Sequence, residues 1–386
     1  MKKYDVLIVG AGFAGSIIAR EFANNGKKVL IVEKRNHIAG NMYEETFENK
    51  VRAHKYGPHI FHTNQKHVFD YIKQYSDFYF YELRVTGLVD NILIPIPFNF
   101  KSLELLFNKN DSELIIEKLI NYYPDKKTIS VIDLISHEDV IIKNFGKYVY
   151  DKVYVNYVAK QWNVTIDKID PSVINRVPVV LSYDDRYFQD KYQFMPKDGY
   201  TKLFENMLNH ENIEIKLNTK ANTVIKIEND KIYFNNEIFG GILVYTGAID
   251  EFLNYKHGPL PYRSLDLHYE SYDMNYYQAS AVVSHPNDEK YTRITEFKYL
   301  TNQFIDGKTS ILKEYPSDYD YSDEKSIPFY AIINKENIAK HQEYIDSTKN
   351  IKNLYFCGRL ADYKYYNMDE IIFKSLDMFN QIKKRI

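Results

Sequence analysis

Residues 4–35 read YDVLIVGAGFAGSIIAREFANNGKKVLIVEKR. Two short apolar runs, DVLIV and KVLIV, suit strands buried on both faces of a parallel sheet. Between them, SIIAREFANN repeats apolar residues at helical spacing and meets a helix-stopping glycine at Gly26. Gly10, Gly12 and Gly15 fall where the first strand must turn into the helix, so backbone amides come close to a pyrophosphate at the helix's positive end. Glu33, at the end of the second run, can accept from ribose hydroxyls, and a carboxylate there favours an unphosphorylated ribose. The segment predicts a βαβ dinucleotide unit. It does not read as a secretory leader, because Asp5 and three glycines break the apolar run and no small-residue cleavage site follows.

Two further stretches narrow the dinucleotide. The continuation EKRNHIAGN adds Lys34 and a Gly40-Asn41 turn past the second strand, which resembles FAD-binding families in which this segment runs along the cofactor. Near the far end, NLYFCGRLADYKYYNMDEIIFKSLDMF predicts a strand, a Gly358-Arg359 turn and an amphipathic helix beginning near Asp369. In such FAD proteins that late helix aims its N-terminus, here at Met368, toward the flavin. GILVYTGAID, with its Thr-Gly turn, resembles a third cofactor-side strand.

A chain of 386 residues has material for two or three domains. Its net charge of −2 argues against a general nucleic-acid surface. No apolar run nears the eighteen or so residues of a membrane span. The one cysteine, Cys357, lies in an apolar strand, which fits an inert buried thiol and a reducing cytoplasm. Ten arginines stand against forty lysines, so arginines inside motifs are candidates for work that needs a planar bidentate donor.

The organisation predicted is α/β: a Rossmann-like FAD-binding domain with a helical insertion and an antiparallel β-sheet domain. The FAD domain is discontinuous, from residues 1–75, 198–250 and 350–386. Residues 97–158 form the helical part, in which HEDVIIKNFGKYVYDKVYVNYVAKQW reads as one run of period near 3.6 from His137 to Trp162. Residues 76–96, 159–197 and 251–349 form the sheet.

The ordered set GAGFAG, VEKRNHIAGN, HKYGPHIFHT, IPFNF, AKQW, INRVPV, YFQDKYQ, DGYTKL, YRSL, YTRITE, KEYP and CGRLADYKYYNM spans nearly the whole chain and resembles the UDP-galactopyranose mutase family. Membership implies FAD, a cytoplasmic homodimer, a cellular flavin reductant, and interconversion of pyranose and furanose forms of a UDP-sugar without net oxidation. The product would feed a cell-surface polysaccharide. The resemblance also implies that reduced flavin N5 is the nucleophile, so no Ser/His/Asp triad and no metal is called for.

Carried over residue by residue, Arg176 matches the family's lid arginine and Arg293 its partner across the diphosphate, both suited to pairing phosphate oxygens. Arg263 matches a further arginine near the same group. Tyr157 and Tyr187 match positions beside the uracil, Tyr315 and Tyr365 match tyrosines on the phosphates, and Trp162 matches the tryptophan near the sugar. His59 and His62 match a pair near the flavin, His62 with a role in its protonation. Departures are Ala39 before Gly40, Pro58 before His59, Ala159, and Asn367 where an aspartate is usual. Asn367 is expected near the sugar, so the sugar is open between galactose and an N-acetylated relative. Competing classes are a flavin amine oxidase or desaturase and a prenyl-binding escort of similar fold.

Overall fold

A computed structural model describes residues 3–162, 177–287, 289–323 and 325–385, without the side chains of Val158 and Trp162. Its centre is a five-stranded parallel sheet in the order Ile213–Lys216, Val29–Val32, Val6–Val9, Ile242–Tyr245, Leu354–Phe356. Ranked by position in the chain this is 3-2-1-4-5, the doubly wound order without its sixth strand. The Val6–Val9 and Val29–Val32 strands share the sequence VLIV and are buried throughout, as a sheet covered on both faces requires. The helix Phe13–Asn24 buries Phe13, Ala14, Ile17 and Ile18, and Gly26 ends it in the left-handed region at φ +75°. Against it packs the helix Met368–Lys383, with the Phe22 and Phe379 rings edge-on at 5.1 Å.

A seven-stranded sheet stands beside this unit, ordered Tyr330–Ala331, Tyr262–Tyr272, Thr309–Asp318, Arg293–Glu296, Val282–Ser284, Val85–Val89, Ile92–Ile96. Its pairings are antiparallel except Val282–Ser284 with Val85–Val89. Helices Phe100–Leu106, Lys109–Tyr122, Val131–Ile135 and Val140–Val149 fill the insertion. The α/β class with helical and antiparallel parts is as the sequence reads.

The run from His137 is not one helix of constant period. The α-helix Val140–Val149 passes into a π-helical turn at Tyr150–Val155 before α geometry resumes at Asn156–Trp162. A short helix, Ala221–Val224, lies between the strands Ile213–Lys216 and Ile225–Glu228. Among the described residues no helix is long and apolar enough to cross a membrane.

Candidate functional site

The parallel strands end at a cavity lined by Gly10, Gly12, Glu33, Lys34, Gly40 and Asn41, and from the other side by Gly358, Arg359 and Met368. Two of the glycines have a clear steric reason. A Cβ on Gly15 would lie 1.9 Å from the Gly10 carbonyl oxygen, so only glycine lets the helix start against the turn. Gly40 holds φ +54°, and a Cβ there would stand 2.9 Å from the Gly12 Cα. The helix after Gly12 has no side-chain cap on its first amides, which leaves them for an anion. Glu33 is buried, and its two oxygens accept from the Ala11 and Arg35 N–H groups at 2.8 and 2.9 Å. Each oxygen keeps a second lone pair for a hydroxyl. These residues fit an adenine dinucleotide with an unphosphorylated ribose.

Thr219, Lys220, Asn222, Thr246, Pro328 and Phe329 line the same cavity. Only the Thr-Gly turn carried a sequence signal. Asn367, expected near the sugar, also lines this cavity. It precedes the late helix, and its N–H donates to Glu370 Oε2 at 2.7 Å.

A second group lies on the seven-stranded sheet. Arg293 pairs with Glu314 through two bonds, Nε to Oε1 at 2.6 Å and Nη2 to Oε2 at 2.9 Å. The two are register partners on adjacent strands, so the fork is aimed by the sheet, and its remaining edge is left for another oxyanion. Burial works against the Arg293 charge, but Glu314 more than offsets it and raises its pKa. Tyr157, Tyr187 and Tyr330 all sense the Arg293 charge. Burial raises the phenol of each, Tyr330 to about 12. Tyr365 stacks on Tyr330 at 6.2 Å and lies beneath the Arg359 guanidinium at 4.5 Å. Arg359 thus joins this group to the dinucleotide cavity.

Two expected members lie elsewhere. Tyr315 follows Glu314 on one strand, so the pleat turns it to the opposite face, where it meets His268 at 4.6 Å and Tyr291 at 5.7 Å. Tyr330, from SIPFYAI, is the tyrosine that faces Arg293 and stacks on Tyr365. Arg263 is buried, paired with Asp318, and donates from Nε to the Gln161 carbonyl at 3.0 Å. It ties down the helix Asn156–Trp162 and is not part of the open group. Glu314 and Tyr330 escaped the sequence reading because facing depends on strand register; alternation along KEYP was the available signal for Glu314.

His62 bonds Asp190 Oδ2 through Nδ1 at 2.7 Å and stacks on Phe188 at 3.6 Å. It does not line the cavity. His59 is held neutral by burial and by the positive potential of its neighbours, and its Nδ1 has no partner among the described residues. Arg176 and the Trp162 side chain lie outside the described residues.

The 3-2-1-4-5 sheet with its glycine cradle defines an α/β protein that binds a dinucleotide beside a polar, arginine-centred second site. A sequence profile of an NAD(P)-binding Rossmann-like domain matches residues 8–75, and that of UDP-galactopyranose mutase matches residues 152–365. A UDP-galactopyranose mutase of Mycoplasma genitalium is 34% identical over 99% of this chain and 95% of its own length. A dTDP-fucopyranose mutase of Escherichia coli is 36% identical over 96% of each. The solved structure of a reduced UDP-galactopyranose mutase superposes with a TM-score of 0.74 at 16% identity, covering all of this chain and 95% of that one. The chain belongs to the UDP-galactopyranose mutase family, which is a family of isomerases.

Proposed function

We propose that this chain interconverts the pyranose and furanose forms of UDP-galactose with FAD in the cavity. The observation that carries the reading is the Arg293–Glu314 fork, ringed by Tyr157, Tyr187, Tyr330 and Tyr365 and joined to the dinucleotide cavity through Arg359. When bound and reduced, the flavin supplies a nucleophilic N5 for the anomeric carbon. Gly10, Gly12, Gly15, Glu33, Lys34, Gly40, Asn41, Gly358, Arg359 and Met368 would hold the dinucleotide, and the buried, unpartnered His59 Nδ1 would be a donor or acceptor for it. Arg293 holds the diphosphate before and after it leaves, with Arg176 as second arginine. Tyr330 and Tyr365 donate to phosphate oxygens, Tyr157 and Tyr187 flank the base, and Trp162 and Asn367 border the sugar. His62, braced by Asp190 and stacked on Phe188 outside the cavity lining, would act on the flavin only indirectly. Arg263 serves by anchoring the helix that carries Tyr157. The three-part domain division, a cytoplasmic homodimer, a cellular reductant and a polysaccharide destination belong to the same reading.

A second reading, a dTDP-fucopyranose substrate, is favoured by the 36% identical relative. Anaerobic incubation with UDP-galactofuranose, dTDP-fucofuranose and UDP-N-acetylgalactofuranose, with and without dithionite, separates the cases. Conversion of the first only with dithionite supports the proposal. Turnover of the second alone transfers the reading to fucose, and hydride acceptance without isomerisation would refute a mutase.

A further inference from the structure

The helix Val140–Val149 turns Ile142, Phe145, Gly146 and Val149 into the core at spacings of three and four. Continued at 3.6 residues per turn, the next inward positions would be Lys152 and Val153. Instead Lys152 turns to solvent and Val153 only reaches the edge of the core, and the next fully buried residue is Tyr154, five positions after Val149. That is the i to i+5 spacing of a π turn, which accommodates one extra residue in a helix. One extra residue swings everything downstream by about 100° relative to an uninterrupted helix.

The rotation is fixed at both ends. Tyr148 just before it and Lys152 within it both grip the hairpin residue Asp90, at 3.0 and 2.6 Å. After it, Asn156 bonds Asn287 at 3.1 Å, Lys160 donates to the Glu289 carbonyl at 2.9 Å, and Arg263 holds the Gln161 carbonyl. Tyr154 donates its hydroxyl to the Val177 carbonyl. The helix Asn156–Trp162 packs against the strand Thr309–Asp318, which carries Glu314. Tyr157 stands one helical turn beyond Tyr154 on this rotated face.

We infer that the π turn Tyr150–Val155 is a positioning device, an inserted residue that rotates Tyr157 onto the Arg293–Glu314 group. The inference rests on the proposal that Tyr157 contacts the nucleotide. Deletion of the exposed Asp151, whose loss restores a regular helix, turns Tyr157 away while leaving the dinucleotide sheet untouched.

The test compares four full-length, flavin-loaded proteins by titration with UDP: parent, the Asp151 deletion, Tyr157→Ala, and the two changes combined. The deletion is expected to weaken UDP at least ten-fold with flavin content retained, and the combination to bind no worse than the weaker single variant, because both remove one contact. A fifth protein adds an alanine between Val155 and Asn156 to the deletion, restoring the downstream rotation, and is expected to recover parental affinity. UDP binding by the deletion within two-fold of parent, additive losses in the combination, or no recovery in a folded compensated protein overturns the inference. Parental binding by Tyr157→Ala defeats the underlying reading of Tyr157 instead. Thermal melts give an independent arm where the deletion does not accumulate. Tyr154→Ala is expected to lower Tm more than Val153→Ala, and the reverse order overturns the π register.

Discussion

At the scale of the residue, Arg293 and Glu314 divide one task. Glu314 occupies one edge of the guanidinium and fixes its plane, and in the proposed function the other edge takes the diphosphate. Arg293→Lys keeps the charge and loses the fork, so kcat/KM is expected to fall about 100-fold, roughly 2.7 kcal/mol. Steady-state kinetics with dithionite-reduced protein would show it, and a loss under three-fold would remove Arg293 from the diphosphate. The tyrosines give a sharper contrast. Tyr330→Phe is expected to lower UDP affinity about ten-fold, one hydrogen bond to a charged group, whereas Tyr315→Phe, on the other face of the sheet, leaves it within two-fold. Equal effects in calorimetric titration would erase the distinction between the faces. Gly15→Ala has a higher helix propensity, yet its Cβ would overlap the Gly10 carbonyl at 1.9 Å. Purified Gly15→Ala is expected to carry less than half the parental flavin per chain by absorbance; full occupancy would contradict the close approach.

At the scale of the element, the short strands Glu44–Thr46 and Arg52–His54 hold a buried acid and a buried imidazole, with Glu44 Oε1 and His54 Nε2 3.5 Å apart. Burial raises Glu44 from 4.5 to about 7, against the pull of Arg52, and lowers His54 from 6.5 to about 3, with Arg52 adding to the shift. Between pH 4.5 and 6.5 the folded chain carries the proton on Glu44 and the unfolded chain carries it on His54. The proton counts match, so the pair adds no slope to stability there. Glu44→Gln leaves His54 alone, whose contribution is complete above pH 6.5 and lost as pH falls. Stability should then drop about 1.4 kcal/mol per pH unit toward about 4.5. His54→Gln leaves Glu44, whose contribution is complete below pH 4.5 and lost as pH rises toward about 7, so the slope reverses. Urea midpoints across this range measure both, and slopes of the same sign would refute the linkage. The same scale explains what was legible. The first βαβ unit is local, and residues 4–35 contain its strands, turn and helix. The facing of Tyr315 and Tyr330 is set by pairing with distant strands, and the phase break at Tyr150–Val155 is held by Asp90, some sixty residues earlier. Apolar spacing within one segment carries neither.

At the scale of the whole molecule, the arginine group and the dinucleotide cavity are built on different sheets and meet at Arg359, so in the proposed function loss of nucleotide-sugar binding and loss of dinucleotide are separable events. Arg293→Lys protein is expected to purify with the parental flavin spectrum, and a colourless product would mean that the sheets do not hold their ligands independently. The parallel sheet has a further consequence for how the chain is made. The Ile242–Tyr245 strand is buried throughout and pairs on one side with Leu354–Phe356, while the helix Met368–Lys383 covers the first helix. During synthesis at about 5–20 residues per second, over a hundred residues must follow Ile242–Tyr245 before its outer neighbour exists. For that interval a nascent chain presents an unpaired apolar strand edge, a template for association with other chains. Production of this protein should therefore depend on a holding chaperone late in elongation, and ribosome-bound chains halted near residue 350 should be the most prone to aggregate.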